Sequence, residues 1–215
     1  MKKILFITTR NPFLQKFSGD RMRSSSIIKY LSKRNKVDLV YLDKKENEEI
    51  SDKVFKGNKF FFAQNFLSSS LNMVKELINL NPLQVGFFYS KEAHDFVNNN
   101  HSRYDLIICH LIRSAKHMPT NYSGKALLEM TDIYSDNYKQ TAQNSSLINP
   151  FFYLYSLESF LIKKYEEQCF SIFDKIILVD NKSINKAKHF IKNKITKINN
   201  GVDQQKKIFK FNKKN

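Results

Sequence analysis

Cysteine is scarce in this chain, with only Cys109 and Cys169 in 215 residues. The two lie far apart and show neither CxxC nor Cys/His ligand spacing. Neither a zinc site nor a disulfide framework is indicated, and two buried thiols are the expectation. No run approaches the roughly 20 apolar residues of a membrane span. Lys2-Lys3 opens an apolar run that already ends at Arg10, too short for a secretory signal, so a cytoplasmic protein is expected. Zinc-finger, KH-type GxxG and RNP-type aromatic motifs are missing, as are internal repeats, so no nucleic-acid partner is expected. Acidic residues are the other shortage. Asp and Glu number 20 against 36 Lys and Arg, a net charge of +16. Such a balance suits nucleic acid, anionic lipid headgroups or nucleotide phosphates. The lysines are spread along the whole chain, however, which marks most of the charge as compositional bias.

Hydrophobic residues make up 41% of the chain, enough for one good core in one domain. Its organising stretch runs from Lys3 to Leu42. Ile4 to Thr8 is a short β-branched run suited to a strand buried on both faces of a parallel sheet. It breaks at Asn11-Pro12. After a loop carrying Ser18-Gly19-Asp20, Arg21 to Arg34 places Met22, Ile27, Ile28 and Leu31 at helical intervals, and Val37 to Leu42 is the next strand. Strand, loop, helix and strand form a βαβ unit. Its first crossover loop falls where open α/β sheets bind ligands, outside the carboxyl end of a strand. Gly19 lets a backbone approach closely, the helix start favours an anion such as a diphosphate, and Arg21 and Arg23 add positive charge. The alternative at this point is that Ser18 or Asp20 only caps the helix and the arginines are solvated.

Asp43 to Asp52 reads as a charged surface loop, and Val54 to Ala63 as a third strand or strand edge. Leu67, Leu71, Val74, Leu77 and Ile78 give a helical stripe that stops before Pro82. A short helix is expected from Ser90, whose hydroxyl can cap it. Tyr104 to His110 is an apolar strand with His110 and Arg113 at its carboxyl end; these two either face the same crevice as Gly19 or are a partly exposed loop histidine and a surface arginine. Lys125 to Met130 is a further strand, followed by Glu129, Thr131 and Asp132 as cleft-side polar groups. A carboxylate there could act as a general base or bind sugar hydroxyls, while Asp132 could equally be a helix N-cap. From Pro150 to Phe173 runs a long helix with Lys163-Lys164 exposed, read as a core helix with a membrane-surface helix as the alternative. Asp174 to Val179 and Ile195 to Ile198 are strands, with a helix from Asn181 or Ser183 to Lys192 between them. The alternation predicts an α/β, Rossmann-like, doubly wound and mostly parallel sheet of about six strands.

Read together, ILFITTRNPFLQKFSGDRMRSSSIIKYLSKRNKVDLVYL, YDLIICHLIR, LLEMTDIYSDNY, the long helix ending in FDKIILV, and INNGVD resemble the N-terminal half of family 4 glycosyltransferases with the GT-B fold. The resemblance runs from Met1 to Asp203 and implies one N-terminal domain over 1–203, followed by a basic tail over 204–215. It implies retaining transfer of a sugar from a nucleoside diphosphate sugar to an acceptor hydroxyl, in cell-envelope polysaccharide or glycolipid synthesis. Gly19, Asp20, Arg23 and Arg113 would line the donor diphosphate and cleft, His110 and Asp132 would be catalytic, and Glu129 would lie on the acceptor side. No metal and no cofactor are implied, since the nucleotide sugar is a substrate. The implied partners are that sugar and a glycan or lipid-linked acceptor, with peripheral contact at the inner face of the cell membrane. The family's donor-binding domain has no counterpart after Asp203, so a separate donor-domain polypeptide is also an expected partner. Without one, the chain would be a non-catalytic module binding an acceptor, a membrane surface or a partner.

Overall fold

The computed structural model describes residues 1–14, 18–44, 55, 57–191 and 193–201. Its centre is a sheet of seven strands: β1 (Lys3–Thr8), β2 (Lys36–Asp43), β3 (Lys59–Ala63), β4 (Leu106–His110), β5 (Lys125–Glu129), β6 (Lys175–Leu178) and β7 (Ile195–Lys197). All pair in parallel, in the order β3-β2-β1-β4-β5-β6-β7. The Rossmann-like α/β expectation holds, with seven strands in place of about six. The chain builds outward from β1 to β3 and then restarts on the other side with β4. The gap between β1 and β4 is therefore the switch point, where the crossovers part and leave a crevice.

Period-two alternation in β1 explains the two-sided core. Ile4 and Phe6 pack on one face with Leu39, Tyr41, Phe55 and Ile28 of helix α1 (Gly19–Leu31). Leu5 and Ile7 pack on the other with Val85, Ala93, Val97, Tyr165 and Phe170. These come from α3 (Leu83–Phe87), α4 (Lys91–Asn100) and α6 (Pro150–Ile172). Cys109 and Cys169 are buried thiols in that second face, as expected, and burial pushes the Cys169 thiol up to about 12.

Several boundaries move. The third strand begins at Lys59, not Val54, and Val54 lies outside the described residues. Gly57 explains the late start: a Cβ there would lie 1.7 Å from the Val37 carbonyl oxygen, so only glycine lets the chain pass this close to β2. Helix α1 begins two residues before Arg21 and ends three before Arg34. Ser90 caps α4 as expected, accepting from the Ala93 amide at 3.2 Å. The charged loop beyond Lys44, Val202-Asp203 and the 204–215 tail all lie outside the described residues.

Helix α6 holds its neighbours by carboxylates. Glu158 accepts the Leu83 and Gln84 amides at the start of α3, at 2.8 and 3.0 Å. Glu166 accepts the Tyr134 amide at 2.7 Å and the Ser135 hydroxyl at 2.6 Å at the start of α5 (Tyr134–Gln143). The N-cap reading of Asp132 is corrected here: position Ile133 precedes α5, and Glu166, reaching in from another helix, takes its first free amides.

Helix α2 (Phe66–Ile78) is seated the other way round from an ordinary surface helix. It buries Ser69 and Glu76 and turns Leu67, Leu71, Val74 and Ile78 outward. Its polar side is fastened by Glu76 to Lys116 at 3.0 Å and by the Asn72 amide to the Tyr89 carbonyl at 3.2 Å. Gly86 of α3 presses against it, since a Cβ there would lie 2.6 Å from the Asn72 carbonyl oxygen. Among the described residues no helix is long and apolar enough to cross a membrane.

Candidate functional site

The crevice lies at the carboxyl ends of β1, β4 and β5. Leaving β4, the chain bends sharply at Leu111, a buried residue with φ 66° and ψ 151°. A bulky side chain seldom adopts this conformation, and such strain concentrates at functional sites. The Leu111 amide donates to the Glu129 carbonyl at 2.7 Å, which fixes the bend to β5. The following short 3-10 helix, Ile112–His117, brings Arg113 back over the end of β1. There its Nε donates to Thr9 Oγ1 at 2.7 Å and its Nη2 to Asp20 Oδ2 at 3.0 Å. The Phe88 ring lies 4.5 Å from the guanidinium, in cation–π range.

Beside it sits a buried ionic knot. Glu129, at the end of β5, is fully buried; it accepts from Arg23 Nε and pairs with His110 Nδ1. His110 Nε2 donates to the Asp20 carbonyl at 3.1 Å. Both ring nitrogens therefore face acceptors, an arrangement that suits an imidazolium donating from each. Burial pushes the Glu129 carboxyl up, but the His110 hydrogen bond and charge, with Arg23, outweigh it and hold the group below its usual range. The rest of the Arg23 fork donates to Asn200 Oδ1 at 2.7 Å and to the Ile198 carbonyl at 3.2 Å.

Asp20 gathers the remaining charge. Its carboxylate accepts from the Ser18 hydroxyl at 2.6 Å, the Arg21 amide at 2.9 Å and Arg10 Nη1 at 3.3 Å, besides Arg113. Burial opposes ionisation, yet Ser18, Arg10 and Arg113 together keep Asp20 below the ordinary carboxyl range. Ser18 occupies the N-cap position of α1 but spends its hydroxyl on Asp20 and caps no amide. Gly19 is exposed, lacks a positive φ, and a Cβ on it would meet nothing within 4 Å. Helix geometry does not demand glycine here, and the space above its backbone is open.

The structure thus brings Asp20, Arg23, His110, Arg113 and Glu129 together next to Gly19. His110 and Arg113 are buried and Arg23 is paired, so the exposed-loop and solvated-arginine alternatives do not apply to them. Glu129 has both oxygens engaged and acts on the crevice through Arg23 and His110. Asp132 stands slightly apart: burial first, then the neighbouring Asp180, raise its pKa. Asp180 is instead held below the ordinary carboxyl range by hydrogen bonds from Ser183. Sequence reasoning did not single out Thr9, Phe88 or Asp180. Arg10 carried the available signal, a cation directly beyond an apolar strand. Among the described residues no group of three or more His, Cys, Asp or Glu side chains is placed to hold a metal ion.

No described protein family matches the sequence, and no curated protein matches it. Among solved structures, the fold is similar to that of UGT2 from Phytolacca americana, solved in complex with UDP-2-fluoro-glucose and pterostilbene. The TM-score is 0.51 at 8% sequence identity, over 96% of this chain and 54% of the other. The shared architecture is the Rossmann-like fold of a GT-B enzyme. At this identity the likeness is one of fold, and the chain spans about half the length of that GT-B neighbour.

Proposed function

We propose that this chain is the acceptor-side, family 4-like half of a retaining glycosyltransferase, moving a sugar from a nucleoside diphosphate sugar to an acceptor hydroxyl in cell-envelope polysaccharide or glycolipid assembly. One observation carries the reading: Arg113, Arg10 and the His110 ring all converge on Asp20, the residue after the open backbone of Gly19, at the switch point of the sheet. Preorganised cations and free amides beside a helix start stabilise the charge that grows on a departing diphosphate. In this role Arg113 and Gly19 meet the donor, Asp20 holds the arginines in place, and Arg23 and Glu129 fix the His110 ring. In this reading Asp132, just beyond the end of β5, takes the acceptor hydroxyl proton. A second Rossmann-like domain supplies the remaining donor contacts, and the nucleotide sugar enters as substrate, with no resident cofactor.

The test combines the chain with such a donor-binding domain and follows sugar transfer from UDP- and GDP-sugars. Arg113→Ala is expected to lower kcat/KM by roughly a hundredfold or more, a loss beyond the fall in urea midpoint that follows from its buried bonds to Thr9 and Asp20. Tight nucleotide-sugar binding by the chain alone would contradict a donor site divided between two domains. Full activity of Arg113→Ala would remove the crevice from the reaction.

A further inference from the structure

We propose that the Tyr134 hydroxyl and the unbonded nitrogen of the Arg113 guanidinium together hold one phosphoryl oxygen of a diphosphate, which makes Tyr134 a ligand-binding residue of the crevice. The inference rests on the transfer reading of that crevice and adds a residue to those already placed there.

Arg113 uses part of its donor set within the protein. Its Nε goes to Thr9 and its Nη2 to Asp20, while the Phe88 ring lies over the guanidinium. Among the described residues Nη1 has no hydrogen-bond partner, and it is not sealed in the interior. The same is true of the Tyr134 hydroxyl, which bonds to no described residue and is open to solvent. The two groups are neighbours. Among the ionisable groups around Arg113 the Tyr134 phenol has the largest Coulombic effect, ahead of Arg10 and Asp20. Arg113 is in turn the foremost charge acting on the phenol, ahead of Asp20, Asp132 and Glu129. Two unbonded donors therefore stand beside one another where the crevice opens.

The phenol is presented from a braced position. Tyr134 is the first residue of α5, and its amide is held by Glu166 at 2.7 Å. The Ser135 hydroxyl donates to the same carboxylate at 2.6 Å, and the Ser135 carbonyl accepts from Ser159 Oγ at 2.8 Å. The ring itself packs against the core on the α6 side of the sheet. A donor fixed in this way needs little reorganisation when a ligand arrives. Burial pushes the phenol up to about 12 despite Arg113, so at neutral pH the hydroxyl keeps its proton and can donate it. A guanidinium and a phenol side by side ask for one acceptor that answers both. An anionic oxygen does so, and a phosphoryl oxygen suits the planar fork of an arginine.

The test titrates the full chain with millimolar pyrophosphate and follows its tyrosines, labelled at the ring Cζ, by carbon NMR. The Tyr134 resonance, identified by its loss in Tyr134→Phe, should move. Tyr134→Phe should weaken pyrophosphate binding about tenfold and leave the urea midpoint unchanged, since the hydroxyl has no partner within the described protein. Tyr30→Phe, at an exposed ring on α1 across the sheet, should change neither. Arg113→Lys, which keeps the charge and loses the fork, should reduce the movement of the Tyr134 resonance, an arm that does not depend on the folding of Tyr134→Phe. With a donor-binding domain added, Tyr134→Phe should raise the KM for the nucleotide sugar about tenfold with little change in kcat. A rise in the acceptor KM instead assigns the oxygen to a lipid-linked diphosphate. A Tyr134 resonance that stays still, or pyrophosphate binding that Tyr134→Phe leaves intact, overturns the proposal. Full transfer by Arg113→Ala, with the wild-type Tyr134 resonance still moving, would remove the transfer reading and keep the anion site.

Discussion

Two sets of buried polar groups in this domain solve the same problem in opposite ways. At the crevice, Glu129 is ringed by cations and stays ionised, and His110 faces an acceptor from each ring nitrogen. Beneath α3 to α6, Glu166 is met only by hydroxyl and amide donors, and burial pushes its pKa from 4.5 up to about 7. His117 accepts from the Ser90 amide at 3.2 Å and donates to the Ser114 carbonyl at 3.3 Å, a neutral tautomer whose pKa burial pushes down to about 4. Burial is shared by all four side chains. What separates them is whether the first neighbour carries a charge.

The sharpest way to break this contrast is to remove the charge that holds the crevice together. Glu129→Gln leaves Arg23 and the His110 ring without a counter-ion, and a loss of about 3–5 kcal/mol is expected by urea denaturation. A loss under about 1 kcal/mol would make the knot no more costly to disturb than a neutral hydrogen bond. The wild-type contribution of Glu129, whose pKa is lowered on folding, is present at neutral pH and is lost as pH falls below the usual carboxyl range.

The scaffold groups should respond to pH instead. Glu166 gains affinity for its proton on folding, so it stabilises the protein below about 4.5 and that contribution, roughly 3 kcal/mol at most, fades as pH rises towards 7. His117 loses proton affinity on folding, so its contribution is present above about 6.5 and fades as pH falls towards 4. The two slopes oppose each other across the same window. Glu166→Gln should leave stability that drops with acid, and His117→Gln stability that drops with base, each read from urea midpoints between pH 4 and pH 7.5. Parallel profiles in both variants would show that these groups titrate alike in the folded and unfolded chain.

The smallest expected effect on the fold is at the mouth of the crevice. Gly19→Val has open space for its side chain, so its stability should stay within about 0.5 kcal/mol of wild type, while sugar transfer by the completed enzyme falls. A large drop in stability would mean that the glycine serves the helix start and not a ligand.

Much of the fold was readable because β1, β4 and β5 are apolar runs of strand length and α1 and α6 carry helical periodicity. The sheet order was not, since nothing local in Ile4 to Thr8 says that residues near 106 will lie beside it. The crevice residues were legible one at a time, as polar groups beyond strand ends. Their partnership was not: Arg23 and Glu129 are 106 residues apart, and no spacing rule joins them. Helix α2 shows a further limit. A periodic stripe announces an amphipathic helix but not which side the domain will take. Here Glu76 and Asn72 found partners on Lys116 and Tyr89, and the polar side went in. For α5 the capping residue lies 31 residues downstream on Glu166, out of reach of any local signature.

Arg23 holds Glu129 with one nitrogen and, with the other two, the stretch Ile198 to Asn200 that leaves the sheet after β7. The guanidinium is therefore a splice between the floor of the crevice and the last described segment of the chain. A tug on Asn200 would be felt at the His110 ring through three bonded contacts. Movement of whatever follows Gly201 and the alignment of the crevice would then be geared to one another, with a single side chain as the cog.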